Sequence, residues 1–151
     1  RACFQNSRCL RDFFAEMSRQ GKRRFVLDFA QCTGMDSTFL GVLAGLGTAL
    51  SADELPPEQR PIELLNPTAK VTDLIDNLGV LHLFRVVQGT SPEQLAYTAV
   101  ESAGATKLDL SRNCLEAHQV LMDLNPANVA KFKDVAKFFA EDIANQEAKS
   151  A

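Results

Sequence analysis

Side chains able to do chemistry are sparse in this chain. Two histidines, His82 and His118, and four separated cysteines, Cys3, Cys9, Cys32 and Cys114, are its soft ligands and strong nucleophiles. No cysteine pair has CxxC spacing, and no zinc-ligand spacing exists. Scattered cysteines of this kind read as small buried apolar residues of a reducing compartment. Both histidines fall within apolar strand or helix patterns and read as structural or surface groups. There is no glycine-rich phosphate loop after a strand and no nucleophile elbow. What remains is Asp28, Asp36 and Ser37, with Thr38 beside them. As a catalytic group they lack a base of suitable pKa. The expectation is a protein that is not an enzyme, with no cofactor and no metal.

The stretch that holds those residues reads VLDFAQCTGMDSTFLGVL, from Val26 to Leu43. A buried strand ends, a short loop turns, and Asp-Ser-Thr opens an apolar helix. Asp36 and Ser37 are both preferred helix caps. A hydroxyl at a helix start also lies where the dipole and unpaired N–H groups favour negative charge, so phosphate there is tolerated by the fold itself.

The elements around it alternate. Leu10, Phe13, Phe14 and Met17 mark a helix over Asn6–Gln20, with Asn6 or Ser7 as cap and Gly21 as stop. Arg24–Ala30 reads as a strand buried on both faces, as in a parallel sheet. A helix follows from Ser37 to Leu50, then a polar loop, and a second strand over Ile62–Leu65. Asn66 caps a helix with Pro67 in its first turn and Val71, Leu74, Ile75 and Leu78 at helical spacing, stopping at Gly79. Leu81–Val87 is the third strand. The αβαβαβ order predicts an α/β fold with mostly parallel strands. The pattern also predicts one or two further strands upstream of Arg1.

From Gly89 the style changes. Ser91–Gln94 is a capping-box sequence for a short helix, and Lys107–Leu110 is a brief strand or extended linker. Arg112–Asp123 and Pro126–Gln146 are helices. The second carries an apolar stripe of Val129, Phe132, Ala136, Phe139 and Ile143. That stripe must dock, either on its own domain or across a homodimer, and a helical hairpin closing on the open face of the sheet is the economical answer. The division expected is a domain over 1–88 and a helical C-terminal extension over 89–151. The helix beginning at Ser37 is apolar nearly all round from Phe39 to Leu46. Its outer face is therefore covered too, by a partner or by the C-terminal helices, with Gly41, Gly45 and Gly47 permitting close approach.

The Val26–Leu43 stretch resembles the STAS family of sulfate transporters and anti-sigma factor antagonists. So do ACFQNSRCLR from Ala2 to Arg11 and NPTAKVTDLIDNLGVLHLFRVV from Asn66 to Val87. The resemblance runs from Arg1 to Val87 in order and spacing. It implies a STAS-like sheet with Arg24–Ala30 away from an exposed edge, and the function of an anti-sigma factor antagonist. It implies phosphorylation at Ser37, with Thr38 as the alternative acceptor, by an anti-sigma factor that is itself a serine kinase, and reversal by a phosphatase. Asp36, Ser37, Thr38, Phe39 and Leu40 would form the partner surface. A cytoplasmic STAS subunit of a membrane transport system is the alternative. Two departures stand out: Phe39 replaces the family's usual glycine, and Cys3 stands where an aspartate is common. Phe39 would clash with a conventional partner or anchor a different one.

A net charge of −3 gives no general attraction to nucleic acid or anionic membranes. The longest apolar stretch, Phe39–Leu46, is far shorter than the ~20 residues of a membrane span. A cytoplasmic protein without membrane insertion is the expectation.

Overall fold

Gly21 stops the first helix as its sequence predicts, in the left-handed conformation at φ +82°. The computed structural model describes residues 1–50, 54–90, 98–100 and 104–150. In chain order the elements are α1 (Phe4–Arg19), β1 (Phe25–Asp28), α2 (Ser37–Ala49), β2 (Ile62–Leu65), α3 (Ala69–Asn77), β3 (Arg85–Val87), α4 (Lys107–Leu124) and α5 (Val129–Ser150). The expected alternation and a mixed α/β architecture are both present. The sheet has the order β1-β2-β3 with both pairs parallel. Among the described residues no helix is long and apolar enough to cross a membrane.

Several local expectations are corrected. Helix α1 begins at Phe4 after Cys3, so neither Asn6 nor Ser7 is its cap. Asn6 lies inside the first turn and accepts the Cys3 N–H at 2.9 Å, while buried Ser7 donates to the Phe4 carbonyl. Asn66 does not cap α3. It takes a left-handed conformation (φ 52°) and holds Gly89 by two side-chain hydrogen bonds, leaving Thr68 as the cap. The third strand shrinks to Arg85–Val87, because Leu83 and Phe84 are both buried and a strand would point neighbours to opposite faces. Leu81–Leu83 forms a short 3-10 turn instead.

Strand β1 is not buried on both faces, and among the described residues it is an edge of the sheet. Val26 is 60% exposed. It shares a row with Glu63 and Arg85, whose side chains form a 3.0 Å ion pair on the solvent side. The opposite row, with Phe25, Ile62 and Leu64, is buried, and Phe14 of α1 stacks on Phe25 with ring centroids 4.0 Å apart. The sheet is thus covered on one face.

The C-terminal hairpin docks within the chain, but on α2 and α1 rather than on the open face of the sheet. Its target is the helix that is apolar all round. Gly41 lets the backbone of α4 come so close that a Cβ there would overlap the Ala117 carbonyl. Lys107–Leu110 is neither strand nor linker but the first turn of α4, capped reciprocally by Thr106 and Asp109. The predicted Ser91–Gln94 helix lies outside the described residues. Helix α5 packs on α4 with Ala136 buried and Phe132, Phe139 and Ile143 half-buried, whereas Val129 is exposed. At the turn between them, buried Asn128 donates to the carbonyls of Leu78 and Leu121, each at 2.9 Å.

Candidate functional site

One carboxylate organises the start of α2. Asp36 Oδ1 accepts the Phe39 N–H at 2.9 Å and caps α2, while Oδ2 accepts the Phe4 N–H at 2.8 Å and holds the start of α1. Its own N–H donates to the Ala2 carbonyl, beside the parallel bridge between Ala2 and Met35. This tie fixes Ser37 as the first residue of α2. Asp28 turns the chain after β1 instead, accepting the Ala30 N–H at 2.9 Å.

The five residues expected to form a partner surface separate into two sets. Asp36 and Ser37 are half-buried at the helix start. Thr38, Phe39 and Leu40 are buried, at 6%, 9% and 0% exposure. Thr38 donates to Cys114 Sγ at 3.7 Å, so it is not an accessible alternative acceptor. Phe39 is neither a clash nor an anchor for a partner here, because it belongs to the protein's own core. Helix α4 covers Thr38, whereas Phe39 and Leu40 point into the hydrophobic core.

His118 of α4 is the residue that sequence reasoning missed. It is buried, and its Nε2 lies 3.0 Å from Ser37 Oγ. Nδ1 lies 2.8 Å from the Cys114 carbonyl, which can only accept. The proton therefore sits on Nδ1, and Nε2 is left to accept the Ser37 hydroxyl. Phe132 and Phe139 of α5 lie against the imidazole, with ring centroids 4.9 and 6.4 Å away. Burial pushes the pKa of His118 below its ordinary value, with the Cys114 carbonyl and the Asp36 charge opposing it. The same burial raises the Cys114 thiol. The signal in the sequence was faint: His118 shares an apolar stripe with Cys114, Ala117 and Leu121.

Ser37 and His118 line a cavity of about 530 Å³ between the helix starts and the hairpin. Its apolar walls are Phe4, Leu110, Cys114, Val135 and Phe139, with Lys107 and Ser111 also facing it. Such a volume is ordinary for a small-molecule site. Among the described residues no cluster of His, Cys, Asp and Glu is placed to hold a metal ion. Cys114 is buried, whereas Cys3, Cys9 and Cys32 are half-exposed, and all four are free thiols.

No family model, curated protein or solved structure matches the chain. The class defined by the fold and site together is therefore a small α/β protein with a helical hairpin closed over a serine at a helix start.

Proposed function

We propose that this chain is a cytoplasmic STAS-type anti-sigma factor antagonist, a binding module switched by phosphorylation of Ser37. Its partner is an anti-sigma factor with serine kinase activity, and a phosphatase reverses the switch. One observation carries the reading: Ser37 opens α2 directly after its Asp36 cap, half-buried on the wall of an open cavity. A phosphate on Ser37 gains the favourable field of the helix start and adds about −1.5 to −2 charges beside Asp36. Esterified, Oγ has no proton to donate to His118, and the phosphoryl group needs the space between α2 and α4. The modification therefore acts on the hairpin as well as on any partner.

Two features narrow the reading. With Thr38, Phe39 and Leu40 buried, a partner contacts Asp36, Ser37 and the exposed Phe4, or else displaces the hairpin. Among the described residues β1 is an edge of the sheet, and the STAS reading expects a further strand beside Phe25–Asp28. The test is phosphosite mapping after incubation of the protein with ATP and native lysate. Phosphate on Ser37, absent from the Ser37→Ala variant, supports the proposal; phosphate elsewhere or nowhere refutes it.

A further inference from the structure

A serine hydroxyl on a histidine nitrogen, with the other ring nitrogen held by a third group, is the general signature of an activated nucleophile. Ser37, His118 and the Cys114 carbonyl meet it at 3.0 and 2.8 Å. The pair opens on an apolar cavity, and the Ser37 and Thr38 N–H groups, which α2 cannot pair internally, lie at the same corner.

We propose that Ser37 and His118 form a nucleophile–base pair and that the cavity beside them takes the acyl chain of an ester. Ser37 Oγ bonds to the ester carbonyl carbon while its proton passes to Nε2 of His118. The carbon–oxygen bond to the alcohol breaks, and the alcohol departs with that proton. Water then adds to acyl-Ser37, with His118 again accepting a proton; the serine hydroxyl is restored and the carboxylic acid leaves. The substrate class follows from the walls. Leu110, Val135 and Phe139 suit a hydrocarbon chain, and the volume suits a short or medium one.

The test is reaction of the full chain with a fluorophosphonate probe and with p-nitrophenyl esters of increasing chain length. The expected result is one adduct, on Ser37, and a product burst stoichiometric with protein. Ser37→Ala abolishes both. His118→Gln, checked for cooperative thermal unfolding, slows acylation by about 10²–10⁴-fold, the usual contribution of a positioned base. The groups facing the imidazole are Asp36 and Ser37 from α2, Cys114 from its own helix and Phe132 and Phe139 from α5, with Lys107 of α4 on the wall of the same cavity. The acylation rate of the wild type therefore rises with pH and levels off below the ordinary histidine value of about 6.5. Labelling of Ser37→Ala at the wild-type rate overturns the proposal, as does a His118→Gln rate equal to wild type. Should His118→Gln not fold, a wild-type rate that goes on rising through and above about pH 6.5 overturns it instead. Phosphate transfer to Ser37 is scored in a separate assay, so inertness toward esters leaves the phosphorylation reading standing.

Discussion

The hydroxyl of Ser37 lies 3.0 Å from Nε2 of His118, a residue 81 positions later in the chain. The contact joins the start of α2 to α4, the arm of the hairpin that covers it. Whatever changes Ser37 therefore changes the docking of α4.

The first prediction concerns acid. His118 is buried in its neutral form, and its pKa lies below the ordinary 6.5. Below that value the unfolded chain takes up a proton that the native protein refuses, so stability falls with pH until the folded pKa is passed. Denaturant titrations from neutral pH downward should show this loss. It should be smaller in His118→Gln, and an identical pH dependence in the two proteins contradicts the burial argument.

Close packing at Gly41 gives the second. A methyl there meets the Ala117 carbonyl, a backbone atom that cannot swing aside. Gly41→Ala is expected to cost about 1–3 kcal/mol by overpacking, despite a gain in helix propensity, or to lift the hairpin from α2. Urea midpoints and protease cutting between α3 and α4 report the two outcomes. A Gly41→Ala protein as stable and as resistant as wild type means that α4 does not sit here.

Asn128 tests the other end of the hairpin. Asn128→Ala removes one donor each from the Leu78 and Leu121 carbonyls, to both of which Asn125 also donates. The expected loss is about 1–3 kcal/mol, two hydrogen bonds at about 0.5–1.5 kcal/mol each. A change within a few tenths, measured by the same titration, removes the latch from the account.

Neighbouring residues at the start of α2 should behave differently. Asp36 is the cap and also holds the start of α1, so Asp36→Ala is expected to cost at least the ~0.5–2 kcal/mol of a lost cap. Ser37→Ala loses only its bond to His118, about 0.5–1.5 kcal/mol. Thermal unfolding of the two variants side by side checks the order, and a larger loss at Ser37 reverses the assignment of the cap.

Local chemistry in the sequence located much of this and tertiary contact hid the rest. Asp36 before an apolar run marked the start of α2, and Gly21 and Gly79 marked helix ends at positive φ. The apolar surround of α2 correctly required a cover, and Gly41 marks where the cover comes closest. Thr106 and Asp109 have the spacing of a reciprocal cap, so the early start of α4 was legible although Lys107–Leu110 reads as extended. The exposure of Val26 was not, because an apolar run of three looks the same at an edge as in the middle of a sheet. Nor was the pairing of Ser37 with His118, which exists only because α4 docks on α2. With no base visible near Ser37 in sequence, the site read as a pure acceptor of phosphate.

The central claim, that Ser37 is a switch for partner binding, is tested most directly by capture from native lysate. Wild-type and Ser37→Asp protein are immobilised in equal amounts, and each retained partner is assayed for phosphate transfer to Ser37. The account predicts a kinase that wild type retains and Ser37→Asp loses. Equal retention of the same proteins by both, with no transfer to Ser37, contradicts it.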